Sequence, residues 1–238
     1  MTDRLADGGR PDGLARVRWI VGGSAAGKST VARVLADRYG AEVYDGDRAE
    51  HGWLARCSAE RQPRLAALRG AAPGEAWQGR TAEQVFRSMA GLYGETAGFL
   101  AEDLRRAAGE RPLLVDYFGI LPDHLAPLLA RPGHAVFLVP TPEFRTAALR
   151  ARFADPDRVR LNWGSADPER MFALRCARDA LWDGEIRRQA ARHGLDVVTV
   201  DGSVPVAELA ERLAVRFGLA PAEEPPAAVS GRGGEPAR

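Results

Sequence analysis

The stretch IVGGSAAGKSTV, residues 20–31, holds Lys28, the single lysine of the chain; all the rest of the 33 Lys+Arg are arginine. A lysine kept in so arginine-rich a sequence marks a place where arginine does not serve. Gly22, Gly27, Lys28 and Ser29 satisfy G-x-x-x-x-G-K-[ST], the pattern of a loop that cradles nucleotide phosphates. Each residue type has a physical reason. The run Gly22, Gly23, Ser24, Ala25, Ala26, Gly27 is small enough for successive backbone N–H groups to turn inward onto phosphate oxygens. A helix starting at Lys28 adds its positive end. Lys28 carries a compact, mobile ammonium that can follow β- and γ-phosphates, where the wide planar guanidinium of arginine does not fit. Ser29 is expected to place its hydroxyl on Mg²⁺, and Thr30 to lie beside the α-phosphate. The expected ligands are therefore nucleotide phosphates and Mg²⁺.

The elements that must position this loop are legible from the pattern of apolar residues. Val17–Val21 reads as a short strand closed by Gly22-Gly23, and Lys28–Tyr39 as a helix with apolar Val31, Val34 and Leu35, stopped by Gly40. Further strands are expected at Ala41–Tyr44, Pro112–Asp116, His134–Val139 and Asp196–Val200. Residues 48–108 read as a mainly helical insertion, broken near Pro63 and Ala72-Pro73-Gly74. Helices are expected from Pro142 to Phe153, from Pro168 to His193 with Gly194 as the stop, and from Val204 to Phe217. Ala154–Ala166 (ADPDRVRLNWGSA) reads as a polar loop. Residues 1–15 read as a flexible lead-in, and the Pro/Ala/Gly/Glu-rich segment 220–238 as a disordered tail. Five apolar strands separated by helices imply a parallel sheet with helices on both faces, with ligands at the carboxyl ends of the strands.

Composition narrows the setting. The 238 residues suit one α/β domain, 16–219, with 45% hydrophobic and 27% charged residues. A formal net charge of +1 supplies no bulk field toward nucleic acid or anionic membrane. No apolar run approaches the roughly 20 residues of a membrane-spanning helix. Cys57 and Cys176 lack metal-ligand or C-x-x-C spacing, and two lone thiols fit a reducing cytosol. His51, His124, His134 and His193 show no ligand spacing. The reading is a cytoplasmic protein without nucleic-acid or membrane partners.

The lone lysine also sorts among nucleotide-binding classes. With Lys28 used, none is left for the N-K-x-D motif that reads guanine in the familiar GTPases. There is no LSGGQ-like signature, and the chain is short for a motor ATPase. The small-molecule kinase branch remains. At this point the sequence resembles the P-loop kinases: shikimate and gluconate kinases, adenylylsulfate kinase and the nucleoside monophosphate kinases. GGSAAGKST looks like their loop, and Asp45-Gly46-Asp47 resembles the D-x-D or D-G-D step of several of them. DGDRAEHGW is locally similar to adenylylsulfate kinase, without its later motifs. Over residues 17–217 the chain resembles an uncharacterised bacterial group of kinase-like P-loop proteins, through EAWQGRTAE, FLAEDLRR, LLVDYFGILPDHLAPLL and AVFLVPTPEFR.

The resemblance implies a P-loop NTPase three-layer sandwich with a five-stranded parallel sheet, the helical insertion 48–108 for substrate and an arginine-bearing lid at 150–178. It also implies ATP as the nucleotide, and it implies roles. Asp47 is the candidate to hold the acceptor and take its proton; a helix N-cap is its other reading. Asp45 carries the same pair of readings, weighted toward structure. Asp116 is the Walker B candidate, for Mg²⁺ through water or as general base. Tyr117, Phe118 and Gly119 are expected to line the acceptor pocket. Of the lid arginines Arg150, Arg152, Arg158, Arg160, Arg170, Arg175 and Arg178, the ones expected to stabilise the transferring phosphoryl group are Arg152, Arg175 and Arg178. Arg80 beside Trp77 is a further candidate, and Trp77 and Trp53 could equally be packing. Asp201-Gly202-Ser203 is the loop expected to pass the adenine. The resulting expectation is an ATP-dependent phosphotransferase acting on an unidentified small molecule. A nucleotide-binding regulator without transferase activity, or an interaction module built on a degenerate kinase fold, are the alternatives.

Overall fold

A computed structural model describes residues 14–107 and 109–220. The lead-in up to residue 13 and the tail from 221 onward lie outside the described residues, so the flexibility and disorder expected there are not addressed.

Five strands form one all-parallel sheet in the order β2-β3-β1-β4-β5. They are β1 (Val17–Gly22), β2 (Glu42–Asp45), β3 (Leu113–Tyr117), β4 (Ala135–Pro140) and β5 (Val197–Val200). Each lies within one residue of its expected span. β1, β3 and β4 are apolar nearly throughout because both of their faces are covered. Alternate residues serve different cores. Trp19, Val21, Val115, Tyr117, Phe137 and Val139 face one side with Trp53, Leu104, Trp182 and Ile186. Ile20, Leu114, Val136 and Leu138 face the other, against Val31, Leu35, Leu213 and Phe217. The first core lies under α2 (Gly46–Arg56), α5 (Ala97–Ala107) and α9 (Pro168–His193). The second lies under α1 (Lys28–Tyr39) and α10 (Val206–Phe217). The expected α/β sandwich, helices on both faces of a five-stranded parallel sheet, is what the chain forms.

The stretch after β2 is helical in pieces. α2, a single turn α3 (Pro63–Ala66), α4 (Ala82–Arg87), a 3₁₀ turn at Ala90–Tyr93 and α5 are separated by turns. α4 opens with a reciprocal capping box between Thr81 and Gln84. After β3 come the short α6 (Pro122–Leu125) and further 3₁₀ turns.

The segment read as a polar loop is instead helix α8 (Pro156–Trp163), which follows α7 (Pro142–Arg152). Asp155 caps it, accepting from the Asp157 amide, and Pro156 occupies the first turn. Only Val159 and Trp163 are apolar and inward, so the pattern carried little helical signal. Burial of Trp163 against Phe153, ring centroids 4.3 Å apart, secures the helix. Gly164 ends it with φ 59°.

Candidate active site

The carboxyl ends of β1, β2 and β3 meet side by side. In register, Ile20 pairs with Asp116, Val21 with Tyr117, and Asp45 with Asp116. The loop after β1 and the helix start after β2 therefore open onto the same place as Asp116.

Within the loop, Gly22 (φ 123°), Ala25 (φ 61°) and Gly27 (φ 79°) take the positive φ values that let the backbone curl. Gly27 is the N-cap of α1 and supplies no side chain to its first amides. By contrast α2, α4, α7, α8 and α9 are each capped by an Asp or Thr side chain. The first-turn N–H groups of α1 are thus left for a ligand, as a phosphate cradle requires.

A cavity of about 370 Å³ lies over this helix end. Ser24, Ala25, Ala26, Gly27, Lys28, Ser29 and Thr30 line it, together with Asp47, Asp116, Phe118, Arg152, Arg175 and Arg178. All five expected catalytic residues, Lys28, Asp47, Asp116, Arg175 and Arg178, come together there from α1, α2, β3 and α9. Gly22 and Gly23 form the turn behind it. Four cations against two carboxylates give the lining an excess of positive charge, suited to a polyanion.

Lys28 is buried, its Nζ donating to the Gly23 carbonyl at 2.8 Å and standing 5.8 Å from the Phe118 ring centre. Burial lowers its pKa, while Asp47, Asp116 and Asp179 oppose that shift. Asp116 is buried as well. Desolvation raises its carboxyl pKa, against the Ser29 hydroxyl and Lys28, which lower it. Ser29 and Asp116 thus offer oxygen ligands of the kind Mg²⁺ takes.

The two aspartates of the D-G-D step divide their roles. Asp45, not Asp47, is the N-cap of α2, its side chain accepting from the Arg48 amide at 2.9 Å. Asp47 is exposed to the cavity, and its Oδ1 accepts from the Phe118 amide at 3.2 Å. The glycine between them has a packing reason: a Cβ on Gly46 would stand 2.6 Å from the Tyr117 ring.

Other expected residues are used elsewhere. Arg150 pairs with Glu169, Arg158 with Asp155 and Arg160 with Asp157, all at the surface. Arg170 is exposed and lies outside the cavity lining. Arg80 spends its guanidinium on the carbonyls of Ala76 and Gln84. Trp53 is core, its Nε1 donating to Asp103 at 2.6 Å. Asp201 folds back on Ser203, and the loop lines a separate groove with Val198, Leu209 and Arg212. Among the described residues no group of three or more His, Cys, Asp or Glu side chains is placed to hold a metal, and no helix is long and apolar enough to cross a membrane.

Comparison with known proteins adds little. No family model matches the chain, and no curated protein matches it. Among solved structures, TT1252 from Thermus thermophilus aligns over 84% of this chain and 95% of its own at 21% identity, with a TM-score of 0.45. A "putative kinase" from Chloroflexus aurantiacus aligns over 85% and 98% at 13% identity, with a TM-score of 0.43. Likenesses this distant say nothing about chemistry.

The sequence reading missed a second layer behind the cavity. On α9, Asp179 is fully buried beside Arg178 (Nε–Oδ1 2.8 Å) and Arg175 (Nε–Oδ2 3.7 Å). One turn on, buried Asp183 pairs with buried Arg145 of α7. Arg175 also reaches Ser24 Oγ at 3.3 Å. The signal was the i, i+4 spacing of Arg175, Asp179 and Asp183, but mixed charges on a long helix ordinarily read as a solvated face.

Proposed function

We propose that this chain is an Mg²⁺- and ATP-dependent phosphotransferase acting on a small molecule. The carrying observation is the convergence of the uncapped α1 start, Lys28, Asp47, Asp116 and three arginines on one cavity. The amides of residues 24–29 and Lys28 would bind the phosphates, and Ser29 with Asp116 would hold Mg²⁺. Bound there, the ion supplies neutralisation of phosphate-oxygen charge. Asp47 orients the acceptor hydroxyl and takes its proton as the new O–P bond forms and the bond to ADP breaks. Arg152, Arg175 and Arg178 stabilise the charge that spreads over the transferring group. Two unpaired thiols, Cys57 and Cys176, suit the reducing cytosol proposed as its setting.

The test is acceptor-dependent ADP release from Mg·ATP over nucleosides, nucleoside monophosphates, sugar acids, polyols and amino-alcohols. Lys28→Ala and Asp47→Asn are run alongside. Loss of the activity in both variants, with unchanged circular dichroism, is expected. An undiminished rate in Lys28→Ala refutes the reading. ATP raising the melting temperature with no ADP release on any acceptor would favour the nucleotide-binding regulator.

A further inference from the structure

A second cavity, of about 190 Å³, adjoins the first and shares Phe118 and Arg178 with it. Its character is different. Leu68, Trp77, Val85 and Met89, all from the segment between β2 and β3, give it an apolar wall. Its one carboxylate among the described residues is Glu50, to which the buried Tyr117 hydroxyl donates at 3.0 Å. Burial raises the pKa of Glu50, and Asp47 adds to the rise. Glu50 and Asp47, about one turn apart on α2, also line a third hollow with His51 and Leu54. The second cavity is thus largely apolar, with one carboxylate against one cation, where the first holds four cations against two carboxylates.

Among the described residues Arg178 is the only cation lining the second cavity, and it also lines the first, where the transferring phosphoryl group would claim it. Its guanidinium lies 4.7 Å from the Trp77 ring centre and 5.2 Å from that of Phe118, and its Nε stands against Asp179. It sits at the boundary of the two cavities, where the phosphoryl group would cross. A second anion, on the acceptor itself, would meet Glu50 with no further cation in that lining to receive it, and like charges in a partly desolvated site repel strongly.

Resting on the phosphotransferase reading above, we propose that the second cavity holds the acceptor, a small hydroxyl-bearing molecule with a flat apolar body and no negative charge, with amines preferred. The body lies against the apolar wall of Leu68, Trp77, Val85 and Met89, the amine meets Glu50, and the hydroxyl points to Asp47. Nucleoside monophosphates and sugar acids are excluded as acceptors by the same charges.

Three probes share one phenyl-hydroxy skeleton and differ in charge: 2-amino-1-phenylethanol, 1-phenylethane-1,2-diol and mandelate. Their binding is measured by calorimetry on the full chain with Mg²⁺ and a non-hydrolysable ATP analogue, after titration of the analogue itself. The expected order is amine, then diol, then mandelate, with at least about tenfold between the first and last. That span follows because the amine makes a charge-assisted hydrogen bond with Glu50, whereas the mandelate carboxylate is repelled there. Glu50→Gln should remove the preference for amine over diol. Ser88→Phe, which fills the cavity, should abolish probe binding and leave analogue binding intact. Mandelate binding as tightly as the amine, no probe binding beside a bound analogue, or full probe affinity in Ser88→Phe each overturns this proposal alone. Failure of the analogue to bind overturns the phosphotransferase reading and this one with it.

Discussion

Arg145 and Asp183 tie α7 to α9 directly behind the phosphate loop, and cutting that tie has a calculable result. Both side chains are 4% exposed, so solvent screens the pair very little. Among the described residues Asp183 Oδ1 has no hydrogen-bond partner, and Oδ2 has Arg145. In Arg145→Met the carboxylate remains buried and uncompensated, which costs about 3–5 kcal/mol. In a domain of this size each kcal/mol lowers the melting temperature by roughly 2–4 °C, so a fall of roughly 6–20 °C is expected. Asp183 also backs the loop: a Cβ on Gly23 would stand 2.5 Å from its Oδ1. ATP affinity should therefore weaken in the same variant. Calorimetric melting of wild type, Arg145→Met, Asp183→Asn and the double variant forms a cycle. The double variant should be more stable than the sum of the single losses predicts, since it leaves no unpaired charge. A single Arg145→Met variant melting within about 2 °C of wild type would refute the reasoning, because a buried charge left alone cannot be that cheap.

Gly23→Ala should weaken ATP binding at least about tenfold, because its Cβ meets both Asp183 and Pro140 Cδ, 2.7 Å away, and neither can withdraw freely. Gly184→Ala, exposed in mid-helix with nothing within 4 Å, is the control; helix propensity predicts a gain of about 1 kcal/mol, read as a rise of ~2–4 °C. Arg152→Ala should lower kcat by about 10²–10³-fold with little change in melting temperature, as loss of one donor to a developing charge does. Asp116→Asn tests linkage. Because burial raises the folded-state pKa of Asp116, its stabilising contribution is present below the unfolded value of 3.8 and is lost as pH rises through the folded one. Ligand-free Asp116→Asn should accordingly gain melting temperature relative to wild type as pH increases across that window. It should also gain less from Mg·ATP; a difference that is flat with pH would contradict the assigned burial effect.

The strands and long helices were legible because their signals are local. Apolar runs such as PLLVD and AVFLVP mark strands covered on both faces, and Gly40 and Gly194 stop helices where their positive φ is needed. α8 was not legible, since its stability comes from Trp163 docking on Phe153 rather than from its own pattern. For the site, the loop proposed to hold phosphate was legible because that work needs only backbone and one ammonium, all within nine residues. The choice between Asp45 and Asp47 was not. Both are acidic and both read as preceding a helix, and only the fold makes Asp45 the cap and turns Asp47, in the first turn of α2, to the cavity. The same holds for the arginines: sequence could narrow seven to three by analogy, but pairing with Asp155, Asp157 and Glu169 is what withdraws Arg158, Arg160 and Arg150. The burial of Asp179, Asp183 and Arg145 and the largely apolar second cavity belong wholly to the tertiary structure. By itself the sequence determined that a glycine-rich loop with one lysine opens a helix, the pattern proposed to hold a phosphate, and where along the chain it lies. Burial and the meeting of distant segments decided which charges remain free to act on it, because the energy of a charge depends on its surroundings and not on its residue type.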